Sequence, residues 1–327
     1  MAQLSTSLEP ERLSKKKDMK RLIANPNVRN VFAGAVSGLA STLVTVPLDT
    51  VKIRLQNQGP LKAGQVAYDT FSTLKEIWAQ EGVRGLYKGM AATFTGYVPT
   101  WAIYFTAYDF AKQSYAQTLR MSSTDCGVHL LSAMTAGLIS TLATNPLWVV
   151  RTRFMTQSAH TSYNYRSIAD ALCTMVRVEG FKSLYKGLGP SLVGVSHVCV
   201  QFPTYEKLKQ EIQERAQGTV FVNSAKGLSS IGILTASAIS KMLASTVAYP
   251  HEVLRTRLHT QTHLPGVTTT QAKYRGLVQT FRTIVNEEGG RALYKGLSTN
   301  LLRTVPAAAI TLLTYETLAD YLDKLAA

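Results

Sequence analysis

The strongest pattern in the chain is a series of long apolar runs that contain no Asp, Glu, Lys or Arg, divided by short charged segments. Four such runs cover residues 30–48, 89–108, 126–150 and 187–205. A helix that crosses the hydrocarbon layer needs about 17 to 25 mostly apolar residues, so each run is long enough. Two more runs in the last third of the chain are interrupted only by Lys241 and Arg303. Six spans are predicted, arranged as three pairs. Between the members of the first pair, residues 68–80 place Phe71, Leu74, Ile77 and Trp78 at helical spacing, which predicts an amphipathic helix at the membrane surface.

The pairing reflects a repeat. PLDTVKIR, PLWVVRTR and PHEVLRTR begin at Pro47, Pro146 and Pro250, 99 and 104 residues apart. Each is followed by a second motif, EGVRGLYKG from Glu81, EGFKSLYKG from Glu179 and EGGRALYKG from Glu288. Each unit then closes on Tyr108-Asp109, Tyr205-Glu206 or Tyr315-Glu316. Soluble solenoids repeat every 20 to 50 residues or so, and a period near 100 is outside that range. The units occupy residues 27–118, 123–213 and 226–325, after a polar tail at 1–26. The tail has no apolar core and includes Glu9, Glu11 and Asp18, so it reads neither as a secretory signal nor as a cleaved mitochondrial presequence.

Proline inside each first helix removes a hydrogen bond and favours a kink. Two and five residues beyond it stand an acid and a base, Asp49 with Lys52 and Glu252 with Arg255. At i, i+3 such residues share a helix face. Charges at membrane depth face a bundle interior and pair with one another. Three kinked helices converging at one end would therefore bring a ring of ion pairs together as a gate.

Composition then narrows the function. The formal net charge is +15, from 35 basic and 20 acidic residues, while mean hydropathy is only +0.02. A positive field of this size suits nucleic acid, anionic lipid or an anionic solute. Nucleic-acid binding would cluster the bases on one soluble face. Here they recur at the ends of apolar spans, which excludes it. The three cysteines, Cys126, Cys173 and Cys199, form no CxxC pair and suggest neither a disulfide framework nor a metal site. There is no Gly-rich phosphate loop, HExxH or GxSxG, so nothing points to an enzyme.

In triplicate, PxD/ExxK/RxK/R, E-G-x4-Y-K-G and Y-D/E-x-x-K/R resemble the mitochondrial carrier family over nearly the whole chain. The resemblance implies an all-α membrane protein: six tilted transmembrane helices in three tandem repeats of pseudo-threefold symmetry, with short matrix-side surface helices. It further implies alternating access between two gates in a functional monomer of the mitochondrial inner membrane, with peroxisomal or plastid relatives as the alternative. Carried across, the matrix gate pairs Asp49 with Arg151 and Lys52 with Glu252. Trp148 stands in the place of the third acid and leaves Arg255 without its partner. Gln56 matches a bracing glutamine, while Met155 and His259 fill the two equivalent places. The cytoplasmic gate has Asp109, Lys112, Glu206, Lys209 and Glu316, with Ala319 replacing the third base.

Tryptophan at position 148 resembles the branch that carries nucleotide-like cargo: NAD, FAD or folate, and pyrimidine nucleotides. PTWAIYF, HVCVQFPTYE and YPHEVLRTR look most like its NAD carriers. Packing between the third and fourth helices is a compatible role for the same ring. The family's cargo positions fall on Gly96 and Tyr97, Val193 and Gly194, and Arg303 and Thr304. Trp101 and His197, one turn away, could stack on a base or meet a phosphate; packing is the alternative for His197. Lys241 lies eleven residues before Glu252, which leaves about 20° between them on an ideal helix. It either faces the cavity as an anion contact or fills the packing place held by Gly38 and Gly137 in the other repeats. The tyrosine-lysine-glycine triplets imply cardiolipin headgroups at helix N-termini, or simple capping. No other cofactor and no metal is implied. A proton-leak or structural membrane protein without nucleotide transport is the alternative of another class.

Overall fold

The computed structural model describes residues 26–59, 69–122, 124–158, 161, 163–215, 222–223, 227–261, 273–274 and 276–326. The polar tail lies outside them except for Pro26. Ten α-helices appear among these residues. The first helices of the three repeats are α1 (Pro26–Asn57), α4 (Cys126–Thr156) and α8 (Ser230–Thr260). The surface helices are α2 (Thr70–Leu86), α5 (Ile168–Thr174) and α9 (Gly276–Glu288). The second spans are α3 (Met90–Leu119), the pair α6 (Leu188–Val195) and α7 (His197–Arg215), and α10 (Leu297–Ala326). A two-residue antiparallel ladder, β1 (Val222–Asn223) with β2 (Gly227–Leu228), precedes α8.

The all-α reading holds, and the repeat is visible in every element. By length and hydropathy alone, α1, α4 and α8 are the described helices apolar enough to cross a membrane. Helices α3 and α10 are each 30 residues long, about 45 Å at 1.5 Å per residue. Their motif-bearing positions complete the six-span count. The run at 187–205 differs from expectation, because it is two helices that meet at Ser196. The amides of Ser196 and Cys199 bond three residues back, to Val193 and Ser196 (3.0 and 2.9 Å), which tightens the turn. Pro203 in turn offers no amide to the carbonyl of Cys199.

Two compact units divide the chain, residues 46–303 and residues 1–45 with 304–327. In the smaller unit, Ala33, Ser37, Ser41 and Thr45 form a buried line at every fourth position of α1, and Ser41 Oγ donates to the Ala307 carbonyl at 2.9 Å. In the larger unit the aligned positions are buried again: Ser132, Ala136, Ser140 and Thr144 on α4, and Ala236, Ser240 and Ala244 on α8. Small side chains four residues apart let helices approach closely without a hydrophobic driving force.

In the larger unit each surface helix packs on the end of its own repeat's first helix. Val51 and Leu55 meet Ile77 and Leu86; Val149 and Val150 meet Met175 and Leu184; Val253 and Leu254 meet Ile284 and Leu293. The amphipathic stripe of α2 splits: Leu74 and Ile77 turn inward, while Phe71 and Trp78 stay exposed. Exposed aromatics on such a helix suit the headgroup layer.

Candidate functional site

The functional groups lie on the ends of α1, α4 and α8, in two layers. The outer layer is a charge bracket present in all three repeats. Glu81 accepts from Arg54 (2.7 and 2.9 Å) and Lys88 (2.5 Å). Glu179 accepts from Arg153 and from Lys186 (2.6 Å), and Glu288 from Arg257 (3.0 Å) and Lys295 (2.7 Å). The same bases reach the next repeat. Arg54 Nε donates to the Met155 carbonyl, Arg153 Nε to that of His259 and Arg257 Nε to that of Gln56, at 3.0, 3.0 and 2.6 Å. The lysines donate to the carbonyls of Gln157 (3.0 Å), Gln261 (2.8 Å) and Gln58 (3.1 Å). Helix C-termini leave carbonyls without intrahelical partners, and cations there are favourable. Each repeat thus caps its neighbour's helix.

Burial pushes the Glu81 and Glu179 carboxyls up, but hydrogen bonds from Arg54 and Lys88, and from Arg153 and Lys186, outweigh it and hold both below the ordinary carboxylate value. Burial also lowers the Lys186 ammonium, against the pull of Glu179. The glycines of the tyrosine-lysine-glycine triplets adopt left-handed backbone, with φ of 83° at Gly89, 72° at Gly187 and 82° at Gly296. A Cβ there would lie 2.7 Å from Met155 Cγ, 2.5 Å from His259 Cδ2 and 3.1 Å from the Lys52 carbonyl, so glycine serves both backbone and space.

One turn inward is the gate. Lys52 Nζ lies 2.5 Å from Glu252 and donates to Asn300 Oδ1 at 2.8 Å. Arg151 lies 3.1 Å from Asp49 and donates through Nε to Thr93 Oγ1 at 2.8 Å. Thr93 and Asn300 each follow a triplet glycine by four residues. Gln56 braces the first link as expected, donating to Tyr249 Oη at 2.9 Å and to Glu252 at 3.4 Å. Met155 and His259 do not brace. Met155 is buried, and His259 contacts Thr152 Oγ1 at 3.0 Å. The third link has no acid, and its equivalent shelf residue, Ser191, donates to the Gly187 carbonyl at 2.8 Å. Arg255 instead stands over the Trp148 ring at 5.7 Å, and Arg151 over the same ring at 5.2 Å. Tyr97 meets Trp148 edge-on, with centroids 5.4 Å apart. The same ring thus packs on Tyr97 and meets both arginines.

Among the expected cargo residues, Tyr97 and Arg303 lie at this gate, and Arg303 Nη1 contacts Asp49 Oδ1. Lys241 is exposed, and the charged groups acting on it are Arg303, Lys52, Asp49 and Glu252. A Cβ on Gly137 would lie 2.8 Å from Val195, whereas one on Gly38 would meet nothing within 4 Å, so the two glycines share no common packing place. Gly96 is buried near Leu147, Val193 is exposed, and His197 Nδ1 contacts the Gly194 carbonyl at 2.7 Å. Trp101 stacks on Phe105 of its own helix at 5.5 Å and is not part of the cluster. Thr304 is buried in the smaller unit. His251 gave no sequence signal, yet its ring fills the space beside Gly194, where a Cβ would lie 2.4 Å from Nε2.

The cytoplasmic gate positions behave differently. Among the described residues of the larger unit, the ion pair there is Glu206 with Lys209, at 3.9 Å along one helix. Asp109 is exposed and Lys112 half-buried. Glu316 is exposed in the smaller unit. Among the described residues of the larger unit, Lys52 with Glu252 and Arg151 with Asp49 link different helices, and no ion pair crosses between helices at Asp109, Lys112, Glu206 or Lys209.

The family model for "Mitochondrial carrier protein" matches residues 24–119, 122–216 and 226–325, one repeat each. The chain is 38% identical over 305 residues to "Nicotinamide adenine dinucleotide transporter 1, chloroplastic" of Arabidopsis thaliana, covering 91% of this chain and 94% of that protein. It is 39% identical over 301 residues to "Mitochondrial nicotinamide adenine dinucleotide transporter 1" of Saccharomyces cerevisiae, covering 90% and 77%. It is also 39% identical over 299 residues to "Mitochondrial substrate carrier family protein W" of Dictyostelium discoideum, covering 89% and 86%.

Proposed function

The chain belongs to the mitochondrial carrier family, and on that premise we propose that it carries NAD across the mitochondrial inner membrane by exchange for another nucleotide. It is a transporter and not an enzyme. The observation that carries the cargo reading is the charge balance at the gate. Lys52, Arg151, Lys241, Arg255 and Arg303 stand against Asp49 and Glu252, a surplus of three positive charges. Like charges gathered at membrane depth are costly unless something compensates them. A doubly charged pyrophosphate offsets two of the three, and the Arg303 guanidinium suits its oxygens. Tyr97 and Trp148 supply aromatic faces beside it for a flat ring. Relatives whose names specify nicotinamide adenine dinucleotide support this cargo, and one chloroplast name keeps the plastid membrane as the alternative location.

A lipid reading has its own support. A cavity of about 250 Å³ lies between the starts of α6 and α9, lined by Lys186, Gly187, Gly189, Tyr274 and Gly276. Free amides at two helix starts favour an anionic headgroup such as that of cardiolipin.

The test is uptake of labelled NAD by liposomes containing the purified full chain and loaded with unlabelled nucleotide. NAD exchange is expected to exceed that of FAD, folate and pyrimidine nucleotides, and to rise when cardiolipin is included. Faster pyrimidine or FAD exchange would overturn the cargo; proton leak without nucleotide uptake would overturn nucleotide transport itself.

A further inference from the structure

Two of the gate cations each have an acid and a shelf. Lys52 has the Glu252 carboxylate and Asn300 Oδ1, and Arg151 has the Asp49 carboxylate and Thr93 Oγ1. Arg255 has neither. Trp148 stands where its acid belongs, and Ser191 on its shelf donates to the Gly187 carbonyl. Glu252, the acid whose charge acts on Arg255, is taken by Lys52 and Gln56. Among the described residues no hydrogen bond or ion pair reaches the Arg255 guanidinium, which meets the Trp148 ring at 5.7 Å. An indole face attracts a cation but has no lone pair for its five N–H donors. The Trp148 indole N–H donates to no described residue either. The fully buried polar atoms that lack a partner include Arg303 Nε but no atom of Arg255 or Trp148, so these donors are open to a small solute. Arg151 stands over the same ring at 5.2 Å and adds a second positive charge beside them.

We propose that a monovalent inorganic anion of the size of chloride binds at Arg255 beside Trp148 and supplies the acid that the third link lacks. It accepts from donors that have no acceptor in the protein, and it relieves like charges gathered at membrane depth. The remaining charge fixes the valence. The gate cations exceed the acids by three, and a cargo pyrophosphate at Arg303 and Lys241 offsets two. One positive charge then remains, and Arg255 is the cation with no acid. That count rests on the cargo reading; the missing contacts of Arg255 do not.

The experiment is thermal unfolding of the full chain in detergent without nucleotide, in sodium chloride titrated against sodium gluconate at constant ionic strength. An ion that binds the folded state alone stabilises it by mass action, so the wild-type midpoint should rise by about 2 to 4 °C in chloride and then saturate. Trp148→Asp supplies the acid from the chain itself, and Arg255→Gln removes the cation, so both should unfold alike in the two salts. No chloride-specific rise in wild type overturns the proposal, as does a rise that persists in either variant. Stabilisation by inorganic phosphate in place of chloride overturns the monovalent assignment. Should Trp148→Asp fail to fold, Arg255→Gln decides alone. Because nucleotide is left out, a negative result here leaves the NAD reading standing, and absent NAD uptake leaves the anion site standing.

Discussion

The bracket and the gate occupy neighbouring turns of the same three helices, yet one repeats faithfully and the other does not. Arg54, Arg153 and Arg257 each hold a glutamate and a neighbour's helix carbonyl, with the triplet lysine beside them. The gate has two such links and one replacement, Trp148 beneath Arg255 and Arg151. The difference follows from what each layer satisfies. Carbonyls at a helix end exist in every repeat whatever the cargo is, so the bracket has the same task three times. The gate must open around a solute that has no threefold symmetry. Departures from the repeat, Trp148, Lys241 and Arg303, gather there for that reason.

The largest effect should come from breaking the bracket where it is driest. The Arg153 side chain is 0% exposed and that of Glu179 5%, against 16% and 12% for Arg54 and Glu81. Removing one partner of a buried pair leaves the other charge uncompensated, at a cost of about 3 to 5 kcal/mol. Arg153→Ala should therefore lower the thermal unfolding midpoint in detergent much more than Arg54→Ala. Equal shifts would mean that burial does not grade the brackets, and the comparison would need another basis.

A smaller effect is expected at the gate. Trp148 receives two cations, each contact worth about 0.5 to 2 kcal/mol depending on exposure. Trp148→Ala should destabilise the closed gate and raise net uptake into unloaded liposomes relative to exchange. Trp148→Asp supplies the missing acid to Arg255, and should lower net uptake below wild type. If both substitutions move net uptake the same way, Trp148 acts through packing against Tyr97 rather than through the arginines.

Much of this was legible before the structure. Three repeats and the helix pairs follow from recurring spacing; spacing alone set Asp49 beside Lys52 and Glu252 beside Arg255, and the links of Asp49 to Arg151 and Glu252 to Lys52 were what the family resemblance implied. The bracket was equally present in the sequence, as Arg54, Glu81 and Lys88 recur at matched positions. Motif reading assigned those glutamates and lysines to helix starts, whereas the glutamates pair with bases of their own repeat and the lysines also donate to carbonyls of the next. Such contacts span 69 to 237 residues and leave no local period. The break at Ser196 was hidden because composition registers apolarity, not which amide loses its acceptor. His251 beside Gly194 and Asn300 beside Lys52 were silent for the same reason: each is one residue in one repeat, and only packing reveals its neighbour.

The smallest expected effect concerns acidity, and it separates the layers without altering the gate. Glu81 and Glu179 are held below the ordinary carboxylate value of 4.5 by the bases that bracket them. A carboxyl lowered on folding contributes stability that is fully present above its unfolded value and is lost as pH falls through the folded one. The unfolding midpoint should therefore stay flat from neutrality to about pH 5 as far as these groups are concerned, then fall. Glu179→Gln lowers the midpoint at every pH by leaving Arg153 unpaired, but it also removes one titrating group. Its midpoint should then fall less steeply than wild type below pH 4.5, and the two curves should approach one another. Parallel curves down to pH 3 would show that the acid response arises elsewhere, and that the bracket holds its helices by geometry more than by charge.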